Sequence, residues 1–442
     1  MVLALAAAAA CARPPKSMME PAGEGTGGTP GSGAAGDPAS GGAAGSVGST
    51  GTAGTTNASG AAGVIGAAGA LGMAGAAALG TCAPQPPAPA AGGASFPFPQ
   101  HQFGTTCSYP ASCNDGDVTL AWANWKKTFV IAAGSTLRVK RPTNSNDTVS
   151  EGIGYGMMAA AYMADRPTFD GLWAYASARL DENGVMNWHY DANGGVLDGG
   201  GGATDADEDM AFALVMADAQ WHGAYAGAAK TLIGHVLDRE VEDGTNVLKP
   251  GDRWGGSDQT NPSYLAPAYY RVFASYTGDS RWMAVVDASY TLLDKCANAK
   301  TGLVPDWCNA AGAPQRSSHY SYDACRTPWR IAVDACWNGE ARAVAYLARV
   351  SAFFGKVGSA NIKDGYGLDG TPLGSANAIA FVGPAGAGAL AGPPSTLTRD
   401  AYTRVKAVSR LAAGSGYDYY DASWGLLSLL LMTGNLADLT AH

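Results

Sequence analysis

The first part of the chain has almost no aromatic or charged residues. From Pro21 to about residue 95 the sequence consists nearly entirely of Gly, Ala, Ser, Thr and Pro. Such a segment cannot bury enough apolar surface to offset chain entropy, so it indicates a flexible linker. All 11 Trp residues lie beyond it. We therefore expect a linker at 21–96 and one large folded domain at 97–442.

The chain also lacks the run of roughly 18 apolar residues that a membrane span needs. Its first ten residues form a short apolar run that ends in small residues before Cys11. This pattern resembles the apolar part and cleavage region of a secretory signal, although a positively charged start is missing. We expect residues 1–20 to be a leader and the protein to be extracellular. Cys11 is a candidate for a lipid anchor to the cell surface, with release into the medium as the alternative.

Several common functional patterns are absent. A net charge of -9 and the lack of a Lys/Arg-rich face argue against nucleic acid as a partner. The 8 Cys show no CxxC spacing and the 6 His form no HExxH pair, so a zinc site is not expected. No GxSxG elbow is present. We therefore expect neither a metal nor another cofactor.

Close cysteine spacing in an exported protein favours disulfide bonds. It predicts the bridges Cys107–Cys113 and Cys296–Cys308.

Helical periodicity predominates beyond the linker, with few strand-like alternations. The predicted helices span 117–131, 151–165, 168–180, 205–221, 224–238, 262–276, 279–297, 327–350, 373–386, 396–410 and 419–434. No fixed-period repeat is visible, which disfavours the known helical-repeat families. A closed ring of helical hairpins would instead place alternate loops on one face, where a cleft can form. Long polar loops at 185–202 and 243–259 are expected to carry function or short hairpins.

An acidic run opens one of the predicted helices. Asp205, Asp207, Glu208 and Asp209 fall within five positions, and the sequence then turns apolar. Thr204 and Asp207 could form a capping pair, and acidic residues stabilise a helix N-terminus, so a capped buried helix is one interpretation. Because like charges this dense repel, and capping needs only one or two, the alternative is a helix start that faces a polar cleft.

A second helix start runs Ser150-Glu151-Gly152-Ile153-Gly154-Tyr155-Gly156-Met157. Ser150 is a predicted N-cap, with Glu151 in the first turn. Three glycines here cost roughly 1 kcal/mol each relative to Ala, which predicts a close approach by a neighbouring helix or a ligand. Glu151 either acts in catalysis or only complements the helix dipole.

A third segment, Tyr322 to Arg330, places Asp323 in a loop before a helix whose first turn holds Pro328. Arg326 is near enough to keep this carboxylate ionised, and Tyr322 can donate a hydrogen bond. The alternative is an Asp–Arg pair that only fastens the loop.

Aromatic residues also occur in the polar loops. Trp188, Trp254, Tyr417 and Tyr420 are candidates for binding sugar rings, which need a flat apolar face and polar partners. Ordinary packing is the alternative for each single ring. Acidic residues, loop aromatics and no metal signature together favour glycoside hydrolysis by a pair of carboxylates.

These segments resemble those of a known family, glycoside hydrolase family 8. The run from Ala203 through Trp221 resembles its signature, and the segments that start at Ser150 and Tyr322 resemble its general-acid and general-base segments. Asn261-Pro262-Ser263-Tyr264 and Tyr420-Asp421-Ala422-Ser423-Trp424 match in kind and order. The resemblance spans about residues 97 to 436. It implies an all-α fold, an (α/α)6 barrel, and inverting hydrolysis of a β-1,4-linked polysaccharide.

The resemblance also implies roles for individual residues. Glu151 would be the general acid and Asp323 the general base, with Tyr322 and Arg326 as its supports. Asp205 would grip the distorted sugar beside the scissile bond. Since chitosan-cleaving relatives tend to place a Glu base elsewhere, an Asp at position 323 resembles the cellulase and xylanase branch.

We therefore expect a monomeric endo-β-1,4-glucanase that binds cellulose or mixed-linkage β-glucan. Trp188 and Trp254 resemble the stacking platforms of the family. A xylanase or chitosanase on the same scaffold is one alternative, and a non-catalytic surface glycan binder is another. The presence of all three candidate catalytic residues argues against the last.

Overall fold

The computed structural model describes residues 93–101, 106–316, 319–409 and 418–441. Cys11, Tyr417, the predicted leader and nearly all of the predicted linker lie outside these residues. The helices are α1 (Asp115–Phe129), α2 (Ser150–Tyr162), α3 (Arg166–Ser177), α4 (Thr204–Trp221), α5 (Tyr225–Glu240), α6 (Pro267–Thr277), α7 (Arg281–Cys296), α8 (Thr327–Asn338), α9 (Ala341–Val357), α10 (Ile379–Gly388), α11 (Thr396–Ser409) and α12 (Tyr419–Met432). No helix in the described segments is long and apolar enough to cross a membrane.

The short strands form three antiparallel pairs. They are β1 (Val130–Ala133) with β2 (Thr136–Val139), β3 (Thr148–Val149) with β4 (His189–Tyr190), and β5 (His319–Tyr320) with β6 (Tyr366–Gly367). Strand β4 lies in the long loop at 185–202 that the sequence singled out, and pairing with β3 fixes this loop beside the start of α2.

The helices alternate between an inner and an outer ring. Each even-numbered helix contacts the next even-numbered one, and α12 contacts α2, which closes the inner ring. Each odd-numbered helix packs outside against an even-numbered one. Every residue of α2 and α10 is buried, as expected for helices that are apolar all round, whereas α5 buries only one face. The predicted all-α fold, an (α/α)6 barrel, is confirmed.

The glycines at the start of α2 allow its neighbours to pack closely. A Cβ at Gly154 would lie 2.9 Å from Asp209 Cβ and 3.3 Å from the carbonyl oxygen of Ala206, both on α4. At Gly152 it would lie 2.7 Å from the hydroxyl of Tyr419. The predicted close approach therefore occurs, and neighbouring helices make it.

The predicted helix at 327–350 was wrong, because it is two helices. Helix α8 ends at Asn338, and Gly339 follows with a φ of 61° in the left-handed region that favours glycine. The side chain of Glu340 then accepts the N–H of Arg342 and caps α9. The chain turns here from the inner to the outer ring.

The predicted disulfides were also wrong. Cys107 bonds Cys336, at a sequence separation of 229, because the segment before α1 lies against the end of α8. Cys113, its predicted partner, is disulfide-bonded elsewhere. Cys296 and Cys308 are free and buried, and their thiols are hydrogen-bonded to each other instead of bridged.

Candidate active site

The N-terminal ends of the inner helices meet at one end of the barrel. Glu151 lies in the first turn of α2 and Asp205 in the first turn of α4. Asp323 and Arg326 directly precede α8. Because helix N-termini carry partial positive charge, this end of the barrel favours carboxylates. The ring thus gathers groups that are far apart in the sequence.

A single guanidinium links the three predicted catalytic residues. Nη1 of Arg326 donates to Glu151 Oε1 at 2.8 Å and to Asp205 Oδ2 at 2.6 Å. Nη2 donates to Asp323 Oδ1 at 2.9 Å and to Ser263 Oγ at 2.8 Å. Arg326 is fully buried, so these charge-assisted bonds form away from bulk water. The rigid fork fixes the three carboxyl groups relative to one another.

Glu151 is placed to hold a proton near neutral pH. Burial raises its pKa to about 7, against the opposing effect of Arg326, and the charges of Asp205 and Asp323 raise the pKa further. The hydroxyl of Tyr155 donates to Oε1 at 2.5 Å, which favours the ionised form. Oε2 has no hydrogen-bond partner among the described residues. A perturbed carboxyl of this kind is a candidate acid or base.

Asp323 differs from the other two carboxylates in its access to solvent. Its side chain is 17% exposed, against 2% for Glu151. Burial nevertheless raises its pKa, Arg326 lowers it, and the charge of Asp205 raises it. Nε1 of Trp307 donates to Oδ2 at 3.2 Å. Trp307 and Arg326 thus donate to different oxygens of Asp323, and solvent can still reach the group.

The hydroxyl of Tyr322 is not directed at the base. It donates to Asp364 Oδ2 at 3.1 Å. The hydroxyl of Tyr420 donates to the carbonyl of Tyr322 at 2.6 Å, and the two ring centroids lie 6.0 Å apart. Both tyrosines therefore support the loop that carries Asp323. Tyr417, predicted beside them, lies outside the described residues.

A group of aromatic rings adjoins Asp323. Trp254 stacks on Trp307 with centroids 5.6 Å apart, and Tyr264 meets the edge of Trp307 at 6.3 Å. The guanidinium of Arg316 lies 4.7 Å from the Trp307 ring centroid. Trp254 is half-buried, so part of its ring remains accessible. Sequence reasoning missed Trp307, although it lies in a polar loop as Trp254 does.

Trp188 lies at the edge of the site but presents little surface. Its carbonyl accepts the N–H of Ser150 at 2.9 Å, immediately before Glu151. Trp188 is 4% exposed, and its ring packs against His189 with centroids 4.7 Å apart. In this arrangement Trp188 contributes packing and offers no open face to a sugar ring.

The predicted caps of α2 and α4 do not form. Thr204 begins α4, and its hydroxyl donates to the carbonyl of Lys249 at 2.7 Å. Asp207 Oδ1 accepts the N–H of Met186 at 2.9 Å. Ser150 is the first residue of α2 and its hydroxyl caps nothing. The prediction of a capping pair was therefore wrong.

Glu208 and Asp209 tie α4 to its inner-ring neighbours. Glu208 Oε2 accepts the hydroxyl of Tyr270 on α6 at 2.8 Å. Asp209 forms a buried two-pronged ion pair with Arg330 on α8. The acidic run at the start of α4 therefore has two functions. Asp205 enters the site, and the other three carboxyl groups bind neighbouring elements.

The arrangement supports acid–base chemistry. One carboxyl can carry a proton near neutral pH, a second is reached by water, and an accessible aromatic ring lies beside it. No group of three or more His, Cys, Asp or Glu side chains within the described ranges is arranged to hold a metal ion. A carboxyl that can hold a proton near neutral pH and a second, water-accessible carboxyl beside an aromatic ring are the groups that acid–base hydrolysis of a glycosidic bond requires.

Comparison with known proteins agrees with this class. Residues 97–434 match the glycosyl hydrolases family 8. The chain is 42% identical to Endoglucanase 2 of Ruminiclostridium josui over 332 residues, which cover 73% of this chain and 72% of that protein. It is 41% identical to Endoglucanase A of Acetivibrio thermocellus over 379 residues, 80% of this chain and 78% of that protein. The apo structure of a beta-1,3-1,4-glucanase from Paenibacillus sp. X4 superposes with a TM-score of 0.72 at 31% identity and covers 77% of this chain and 98% of that one. The chain therefore belongs to glycosyl hydrolase family 8, and it is an endoglucanase-like glycoside hydrolase.

Proposed function

We propose that the protein is an inverting endo-β-1,4-glucanase that acts on cellulose or mixed-linkage β-glucan. The observation that carries the proposal is the bridge from Arg326 to Glu151 and Asp323. Its two terminal nitrogens each hold one of these carboxyl groups, so the proposed acid and base share one rigid support. The inverting course is the one that the resemblance to family 8 implies; it requires roughly 6.5–9.5 Å between the acid and the base to admit a water, whereas retaining enzymes use about 5–5.5 Å.

Glu151 is the proposed general acid. With a pKa of about 7 it remains protonated at weakly acidic pH. It donates this proton to the glycosidic oxygen as the bond to the anomeric carbon breaks, so that the departing sugar leaves as a neutral alcohol.

Asp323 is the proposed general base. It accepts a proton from the water that attacks the anomeric carbon on the face opposite the leaving group, and this inverts the configuration. Arg326 and Trp307 donate to its two oxygens and favour the ionised form. Asp205 Oδ1, which has no partner among the described residues, is available for a hydroxyl of the distorted sugar.

The relatives and the aromatic rings support a β-glucan substrate. The most similar sequences reported above are named endoglucanases, and the solved neighbour is a beta-1,3-1,4-glucanase. The half-buried ring of Trp254, which stacks on Trp307 and has the guanidinium of Arg316 5.3 Å from its centroid, is the proposed contact surface for a sugar ring close to Asp323.

We also propose that the protein is exported, by way of the leader at 1–20, and acts as a monomer. The Cys107–Cys336 bond supports this location, because disulfides persist in oxidising compartments. Cys11 is the proposed site of a lipid anchor.

The substrate and the two roles can be tested together. Reducing ends released from carboxymethyl cellulose, barley β-glucan, xylan and chitosan are measured for the wild type, Glu151→Gln and Asp323→Asn. We expect activity on the two glucans and losses of about 10²-fold or more in each variant. Asp369→Asn, at an exposed carboxylate, is the matched control and should retain full activity.

Each contrary outcome has a definite meaning. Activity confined to xylan or chitosan would show that the proposed glucan substrate is wrong and would assign that polysaccharide instead. Binding of glucan without turnover by the wild type would refute the enzymatic role. Full activity in Asp323→Asn would assign the base to another carboxylate.

A further inference from the structure

We propose that Asp306 is a positioning residue for the base Asp323, acting through hydrogen bonds to the backbone on both sides of it. The proposal rests on the proposed function of Asp323. Asp306 lies in the loop between α7 and α8, immediately before Trp307. Neither sequence reasoning nor the chemistry above gives it a role.

One oxygen of Asp306 holds the turn that carries the base. Oδ1 accepts the N–H of Ser321 at 2.9 Å and that of Ala324 at 2.8 Å. These two residues bracket Tyr322 and Asp323. The N–H of Asp306 itself donates to the carbonyl of His319 at 2.9 Å, which fixes Asp306 beside strand β5, directly before this turn. The backbone at Asp323 is therefore held from both sides by one buried group.

The next residue holds the side chain of the base. Trp307 donates to one oxygen of Asp323 and Arg326 to the other. Two consecutive loop residues thus fix the backbone and the carboxylate of the base. Such support matters because a displacement of about 1 Å at a reacting group can reduce the rate by about 10²-fold.

The electrostatic surroundings of Asp306 indicate in which protonation state it accepts the two backbone N–H groups. The residue is 9% exposed. Burial raises its pKa to about 8, and the charge of Asp323 contributes in the same direction. Below that pH Asp306 is neutral, so it can accept both N–H groups without adding a second negative charge beside the base. An amide offers the same neutral acceptor, whereas a methyl group offers none.

Kinetics of the full chain on barley β-glucan test the proposal. We expect Asp306→Asn to keep kcat within about 3-fold of the wild type, and Asp306→Ala to lose about 10²-fold in kcat with KM changed by less than about 3-fold. The matched control is Asp115→Ala. This removes a buried carboxyl that binds His101 and Asn435 away from the site, and it should lower thermal stability without changing kcat.

Each outcome either supports or overturns the positioning role. Wild-type kcat in Asp306→Ala overturns it. An inactive Asp306→Asn that unfolds at the wild-type temperature also overturns it, because the carboxyl would then act through its charge or its proton. If Asp306→Ala does not fold, Asp306→Asn alone decides. A wild type that is inactive on every glucan refutes the proposed function instead, and that result is read before any variant is compared.

Discussion

Removing the hydroxyl of Tyr155 should extend activity to higher pH. Tyr155 lies one turn beyond Glu151 on α2, and its hydroxyl donates to Oε1 at 2.5 Å. This bond stabilises the ionised form and so lowers the pKa of Glu151. Tyr155→Phe loses it, and the pKa should rise above its present value of about 7. The acid then keeps its proton to higher pH.

The size of the shift follows from the strength of the bond. A hydrogen bond to a charged group contributes about 1.5–3 kcal/mol, and one pKa unit corresponds to about 1.36 kcal/mol. Because the buried site relaxes in part and Arg326 remains, we expect a rise of roughly one unit. The alkaline limb of kcat/KM should move from near pH 7 toward about pH 8, since that limb reports the acid in the free enzyme.

The assay is a pH profile of kcat/KM on soluble β-glucan for the wild type and the variant. Tyr162→Phe is the matched control, because Tyr162 lies on the same helix and its buried hydroxyl donates to the carbonyl of Ala437 at 2.7 Å. It should leave the alkaline limb in place. An alkaline limb that stays fixed or moves to lower pH in Tyr155→Phe would refute the assignment of Glu151 as the acid.

Two further predictions concern stability. Arg330→Met leaves the buried carboxyl of Asp209, whose pKa burial already raises to about 6, without its cationic partner, so denaturant unfolding at neutral pH should show a loss of about 3–5 kcal/mol; an unchanged free energy of unfolding would contradict this. The second prediction concerns His189, whose Nε2 lies 2.9 Å from Asp147 and whose Nδ1 lies 2.7 Å from Asp198. Burial lowers the pKa of His189, but the two carboxylates outweigh burial, so the net shift of the pKa is upward. The stability that protonated His189 gives the folded state should therefore be present at low pH and be lost as pH rises through the folded-state pKa of His189. The difference in free energy of unfolding between the wild type and His189→Gln, measured in urea, should therefore be larger at about pH 5.5 than at about pH 8.5. A difference that stays constant between these pH values would refute the effect.

The sequence predicted the helices well where apolar periodicity was continuous. Helix α4 runs from Thr204 to Trp221, against a predicted 205–221. The starts of α2 and α4 could be found because clustered charge and alternating glycines are costly unless something compensates. Closure of the ring was implied by the family resemblance, since periodicity within a helix does not say which helices become neighbours.

Contacts between distant segments could not be predicted. Thr204 and Asp207 had the spacing of a capping pair, but tertiary partners took both side chains. Cys107 had a neighbour six positions away and bonded a residue on α8 instead. The link from Trp307 to Asp323 depends on how a loop folds back before α8, which no local pattern encodes.

The most direct test of the account is the configuration of the first product. If Glu151 and Asp323 act on opposite faces of the sugar with a water between them, hydrolysis of a β-glucan must invert the anomeric carbon. Proton NMR recorded during the first minutes, before mutarotation, should show new reducing ends as the α-anomer. An initial β-anomer would mean retention, and would contradict the separation of acid and base on which the mechanism rests.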